Sequence, residues 1–325
     1  MTFTNPITLQ DVRAAAERIK PYVRRTPLSH SKAISAVLGT NIYFKQELFQ
    51  TTGAFKVRGA FNKILTLTPD QRKAGVVAVS GGNHAQAVAY AARTLGIRAR
   101  IFMPQTTPAN YQEATKSYGA EVLLCSTVRN AFEQTEQHER DGWTMVHPFD
   151  DPLVMAGQGT IALEIAEDLP EITDLIVSIG GGGLMSGVAT AIKGIRSEIR
   201  VWGVETEGAD AMSKAMAAGH PVEIPAMTSI AKTLGAPSVS DTTLQLAGEL
   251  LESVTVVSDR EALDALQLIL ERTKVLVEPA GSCTLSAARR LSEHFNPQSQ
   301  VALVLCGGNI SLDDLCRYHT ALAQH

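Results

Sequence analysis

Residues 174–188 read DLIVSIGGGGLMSGV: an apolar run suited to a buried strand, four consecutive glycines (Gly180, Gly181, Gly182 and Gly183), and the start of a helical pattern. Without Cβ atoms, successive backbone N–H groups can turn toward one bound anion at a helix N-terminus, where the dipole favours negative charge. One alternative is a tight turn with no ligand, but four successive glycines lose much backbone entropy merely to turn. A dinucleotide site in an NAD-binding oxidoreductase is the other, with Glu205, 25 residues beyond Gly180, on the ribose. Its spacing fails, because the third glycine of that fingerprint falls on Met185 or Ser186. A cup for one terminal phosphate fits better.

Outward from this stretch, nine short β-rich runs alternate with helical patterns: NIYFKQELF, GVVAVS, RARIFMP, AEVLLC, TMVHPF, DLIVSIG, RVWGVET, SVTVVSD and QVALVLC. This alternation predicts an α/β protein with two open parallel-sheet domains covered by helices. In such sheets ligands bind beyond the carboxyl ends of the strands. SGGNHAQ, GGGG and CGGN are therefore the candidate loops. No long linker or repeat interrupts the chain, so the smaller domain is expected as an insertion, residues 73–149, between 1–72 and 150–325 of the larger one. The turn-rich LTPDQRKAG and HPFDDP are the expected crossing points.

The 325 residues correspond to roughly two domains at about 150 residues each. Lys plus Arg number 29 and Asp plus Glu 33, a net charge of −4. This balance excludes a basic nucleic-acid binder. No apolar run reaches the eighteen or so residues of a spanning helix. The N-terminus carries no signal pattern; Thr8 precedes an amphipathic run and reads as a helix cap, so a cytoplasmic protein is expected. Cys125, Cys283, Cys306 and Cys316 are far apart and the eight histidines scattered, which gives no zinc or disulfide pattern. The chain ends at residue 325 with no appended sensor domain, so allosteric control of that kind is not expected.

In KQELFQTTGAFKVRGA, Lys56 follows Phe55 within a weakly polar stretch between Gly53 and Gly59. A lysine desolvated against an aromatic ring loses part of its preference for charge, as a Schiff-base lysine must. Taken alone, a solvated lysine is the commoner reading. The wider pattern changes that weighting. TPL at 26–28, TGAFKVRGA, SGGNHAQA, AGQGTIALEI, GGGGLMSG, VEPAG and CGGN occur in the order that resembles the fold type II (tryptophan synthase β-like) pyridoxal-phosphate enzymes. The branch resembled is that of threonine dehydratase, serine dehydratase and serine racemase.

The resemblance implies that Lys56 binds pyridoxal 5'-phosphate covalently, Phe55 packs on its ring and Asn83 meets the ring hydroxyl. It implies that Gly180, Gly181, Gly182, Gly183 and Leu184 hold the phosphate through backbone N–H groups. Ser80, Gly81, Asn83 and His84 would form the loop that receives the substrate carboxylate, and Glu278 would lie near the ring. Cys306 would face the pyridine nitrogen, where the family carries Ser or Cys. Neither is a strong proton source, so the cofactor is expected to be a moderate electron sink, suited to β-elimination. An ordinary buried thiol is the alternative for Cys306. The implied reaction takes a small 3-hydroxy-L-amino acid, by default threonine or serine, to a 2-oxo acid and ammonia in a homodimer. A cofactor-holding protein without turnover is the non-catalytic alternative.

Three departures bear on that reading. Racemases of the family carry a proton-delivering serine before the Gly-Asn-His triplet, and this chain has Gly81 there, which argues for a dehydratase over a racemase. Where the family has Ala-Asp-Gly or Ala-Glu-Gly, this chain has Ala231, Lys232 and Thr233. A cation there could recruit a second carboxylate, giving a 3-hydroxyaspartate dehydratase, or accompany a bulkier substrate of the phenylserine type; a lysine pointing to solvent is the alternative. Relatives with Mg²⁺ or Ca²⁺ use an acid where this chain has Ala211; Glu205 and Ala209 match and the acid falls one earlier, at Asp210, which leaves Mg²⁺ or Ca²⁺ there as an option rather than an expectation. Arg129 is read as a surface residue.

Overall fold

The computed structural model describes residues 5–323. Ten strands form two sheets: β1 Leu28–His30, β2 Asn41–Gln46, β3 Val76–Val79, β4 Ala99–Pro104, β5 Glu121–Cys125, β6 Thr144–Met145, β7 Asp174–Ser178, β8 Arg200–Thr206, β9 Ser253–Val257 and β10 Gln300–Leu305. The larger sheet runs β1-β2-β10-β7-β8-β9 and the smaller β5-β4-β3-β6. Each of the nine runs read from the sequence contains one of β2 to β10. All their pairings are parallel, and only β1 pairs antiparallel, with β2. The chain leaves the larger sheet after β2 and re-enters it at β7, with the smaller sheet between.

Burial explains why the central strands read as unbroken apolar runs. Every residue of β3 and β7 is buried, because helices cover both faces. At the N-terminus, the Thr8 hydroxyl accepts from the Asp11 N–H and the Asp11 carboxylate accepts from the Thr8 N–H, a reciprocal cap on helix Leu9–Ile19.

Helix Pro152–Asp168 packs against both Gly183–Ile195 and Val57–Leu65, and glycines make the contacts. A Cβ on Gly187 would fall 2.0 Å from the Met155 carbonyl oxygen, and one on Gly157 would fall 2.6 Å from that of Arg58. The glycines of AGQG, RGA and MSG are therefore required by helices touching backbone to backbone. Beside them, the fully buried Arg58 donates to Glu47 at 2.8 Å and Glu164 at 2.7 Å, and the buried Lys45 pairs with Glu164. Two cations and two carboxylates compensate each other, as buried charges must. This quartet ties the helix after Lys56 to the end of β2 and to Pro152–Asp168.

Candidate active site

The site lies between the sheets, at the carboxyl ends of β3, β7 and β10. Ala54 forms a bridge with Gly307, and the Phe55 N–H donates to the Cys306 carbonyl at 3.0 Å, so the Lys56 loop is stitched to CGGN. Lys56 starts helix Val57–Leu65, and its Nζ donates to the Pro148 carbonyl at 2.6 Å while lying 5.1 Å from the Phe55 ring centroid. Burial lowers its pKa from 10.5 to about 8. The neutral amine, which a proton acceptor requires, is thus far more populated near neutral pH than in an ordinary lysine.

The four glycines form a loop that other parts of the chain press closely. A Cβ on Gly180 would lie 2.6 Å from the Leu234 carbonyl oxygen, one on Gly181 2.1 Å from the Phe149 ring, and one on Gly183 2.7 Å from Phe149 backbone. Gly182 also has φ +98, a left-handed conformation that glycine adopts without strain. Helix Gly183–Ile195 begins here, with unsatisfied N–H groups that suit a phosphate.

One pocket brings together Phe55, Lys56, Asn83, the glycine loop with Leu184, Glu278 and Cys306. Glu278 Oε1 accepts from Asn83 Nδ2 at 2.9 Å and Thr233 Oγ1 at 2.8 Å, while its buried Oε2 has no partner. Burial pushes the Glu278 carboxyl up to about 7 against these hydrogen bonds. Asn83 Oδ1 accepts from Asn309 Nδ2 at 2.8 Å, so the Asn83 amide is held at both its oxygen and its nitrogen by protein groups. The Cys306 Sγ lies 4.0 Å from Glu278 Oε1, and burial, then the Glu278 charge, raise its pKa far above that of an ordinary thiol. It stays a neutral thiol. A lysine amine of lowered pKa, a glycine cup at a helix start, a neutral thiol and an unpartnered carboxylate oxygen fit pyridoxal phosphate.

A cleft of about 580 Å³ opens from this pocket and is lined by Ser80, Gly81, Asn83 and His84 on one side and by residues 227–237 on the other. The Gly82 N–H donates to Ser80 Oγ at 3.1 Å, and helix Asn83–Thr94 begins at the next residue. The His84 ring is buried, with Nε2 2.8 Å from the Val146 carbonyl, so Nε2 carries the proton and Nδ1 is left unpartnered. Burial, then Lys56, depress its pKa to about 3. His84 therefore brings no positive charge to a substrate carboxylate; the loop offers N–H groups and the helix terminus.

Glu205 has both carboxylate oxygens already paired within the chain. Its Oε1 accepts from the Met212 N–H at 2.8 Å, and its Oε2 from the Ser213 N–H at 2.8 Å and the Ser213 hydroxyl at 2.7 Å, capping helix Ala211–Ala218. Asp210 is paired with Lys214, and Ala209 donates its N–H to the Thr206 carbonyl. Among the described residues no group of three His, Cys, Asp or Glu side chains is placed to hold a metal. The dinucleotide alternative thereby loses its acid. Arg129 is 91% exposed in its side chain and lies 3.6 Å from Glu133.

Sequence reading missed Phe149, Thr233, Thr107 and Tyr111. The Tyr111 hydroxyl donates to the Asn309 carbonyl at 2.6 Å, spanning the cleft. In the sequence Thr233 stands out only within the Ala231–Thr233 departure, and Phe149 only within the turn-rich HPFDDP. Nothing local marks Phe149 as a neighbour of the glycine loop or Thr233 as a partner of Glu278.

The family described as pyridoxal-phosphate dependent enzyme matches residues 19–307. An L-threonine ammonia-lyase of Thermotoga maritima is 41% identical over 313 residues, 96% of this chain and 78% of that protein. A serine racemase of Oryza sativa subsp. indica is 39% identical, covering 94% of this chain and 91% of that one. Among solved structures, maize serine racemase superposes with a TM-score of 0.92 at 37% identity, over 98% of this chain and 99% of that one.

Proposed function

The chain belongs to the pyridoxal-phosphate dependent enzymes, and from that premise we propose that it is an ammonia-lyase that dehydrates a 3-hydroxy-L-amino acid, by default L-threonine or L-serine. The net change takes the substrate to a 2-oxo acid and ammonia, one water leaving at Cβ and one entering at hydrolysis. The observation that carries the reading is a single amine, Lys56, lowered to about 8 and held at the junction of the glycine cup and the cleft.

Pyridoxal phosphate, when bound, supplies the electron sink for the pair left at Cα. The chain's own groups do the rest. The glycine loop and the start of helix Gly183–Ile195 bind an anionic tail through N–H groups. Cys306, a neutral thiol, would leave the ring nitrogen of the bound cofactor unprotonated and so keep the sink moderate. The Ser80–Asn83 loop orients the substrate carboxylate at a helix N-terminus. Lys56 Nζ takes the proton from Cα. Gly81 offers no side-chain acid or base, which favours elimination over inversion at Cα. The same reading treats residues 73–149 as a small inserted domain, and takes the protein as a cytoplasmic homodimer, the assembly being checked by light scattering.

The test is ammonia and 2-oxo acid release across the stereoisomers of serine, threonine, hydroxyaspartate and phenylserine. Release from an L-3-hydroxy acid is expected, together with a visible band that borohydride and Lys56→Ala both remove. Interconversion of L- and D-serine at rates rivalling ammonia release would overturn the lyase reading. One observation favours a second substrate. Lys232 lines the cleft, is exposed, forms no ion pair among the described residues and lies 5.9 Å from the Tyr318 ring centroid. Preference for hydroxyaspartate that Lys232→Ala abolishes would establish it.

A further inference from the structure

Gly81 and Thr107 meet on the inner wall of the cleft, the first in the loop after β3 and the second in the loop after β4. A Cβ on Gly81 would lie 2.5 Å from Thr107 Oγ1 and 3.3 Å from its Cγ2. Thr107 is only 8% exposed. Its N–H donates to the Pro104 carbonyl at 2.9 Å and its carbonyl accepts from Gln112 Nε2 at 2.8 Å. Its hydroxyl has no hydrogen-bond partner among the described residues. The residue lines the cleft, so that hydroxyl is open to a ligand atom as its partner.

The surroundings name the class of that atom. Thr107 Oγ1 stands beside the Ser80–Gly82 loop, whose next residue opens helix Asn83–Thr94 with N–H groups that favour an anion. A hydroxyl is a donor that can join such a set. We propose that Thr107 is a substrate-contacting residue: its hydroxyl donates to the α-carboxylate of the amino-acid substrate, and its bulk makes glycine the residue that fits at position 81. The lyase reading is needed only to identify the anion as an amino-acid carboxylate. Because Thr107 is β-branched, a χ1 rotation that clears Oγ1 from a side chain at 81 also takes the hydroxyl off its aim. Substrate binding and the exclusion of side chains at 81 are then two results of one placement.

Two sets of variants test this. Thr107→Val keeps the shape and removes the donor; KM for the preferred substrate is expected to rise about tenfold, more than kcat falls, as for loss of a hydrogen bond to a charged group. The Kd of glycine, which carries the carboxylate but no leaving group, is expected to rise in parallel by spectral titration of the holoenzyme, and Thr107→Ser to recover most of that loss. Gly81→Ala is expected to lower Tm in the wild-type background, and Thr107→Ala to relieve this, since its remaining Cβ would sit at an ordinary 3.4 Å. Unchanged KM and glycine Kd in Thr107→Val would overturn the contact. Additive Tm changes in the Gly81→Ala, Thr107→Ala cycle would overturn the exclusion. If the wild type holds its cofactor yet releases no ammonia from any substrate, the lyase reading fails on its own, while the glycine titration and the Tm cycle still judge Thr107.

Discussion

The two walls of the site are built on different principles. On the side of Gly180 to Gly183, other backbone and one aromatic ring press so closely that only glycine fits, and the binding groups are main-chain N–H donors. Beyond it, between the Ser80–His84 loop and residues 227–237, the site is an open cleft whose chemistry rests on single side chains such as Thr107, Thr233 and Lys232. The first wall constrains residue type through packing and the second through what the ligand needs. Substitutions should therefore fail differently on the two sides.

The largest effect is expected where the walls join. Lys56→Ala should lower turnover about a thousandfold or more, the upper range for losing a positioned acid or base, while the fold persists by circular dichroism. Residual turnover within tenfold of wild type would place the proton transfer elsewhere. Next comes the packed wall. Gly181→Ala drives a methyl to within 2.4 Å of three ring atoms of Phe149, and overpacking of this kind costs about 1–3 kcal/mol. Cofactor affinity should fall roughly 10- to 100-fold, measured by titrating apoenzyme. Unaltered affinity would show that the loop can give way, and the contrast between the walls would blur.

A third test concerns the open wall and pH. The His84 pKa is depressed from 6.5 to about 3 by burial and by Lys56, so the folded protein binds fewer protons than the unfolded chain between those values. Stability present above pH 6.5 is therefore lost as pH falls toward 3. Chemical denaturation of His84→Gln across this window should show a shallower acid loss than wild type, and parallel curves would assign the loss to other groups. The smallest effect is at a glycine that touches nothing. A Cβ on Gly248, in helix Asp241–Leu250, meets no atom within 4 Å, so Gly248→Ala should stabilise by about 0.5–1 kcal/mol through helix propensity alone. Destabilisation there would mean that position 248 is pressed by something outside this chain.

This contrast also explains what the sequence made legible. Strands β2 to β10 could be read because burial writes a dense apolar signal into a few residues, most plainly in VVAV of β3 and DLIVS of β7. β1 escaped because it is three residues long, half-exposed and held only on one edge. The glycine loop and Lys56 stood out because glycine and lysine in apolar company are costly choices that need a reason. Glu205 is the converse case: an acid at a strand end resembles a ligand-binding group, yet here it accepts from N–H groups in the first turn of the helix that begins six residues further on. Thr107, Thr233 and Phe149 gave no signal, since each matters only for what long-range folding sets beside it.

The Tyr111 phenol bridges the two sheets by way of Asn309, and Asn309 follows directly on Gly308, whose N–H holds the Gly53 carbonyl three residues before Lys56. The smaller lobe is therefore leashed to the segment that carries Lys56. Widening the mouth would load that leash, so the opening of the cleft and the position of Lys56 are tied through one hydrogen-bonded path.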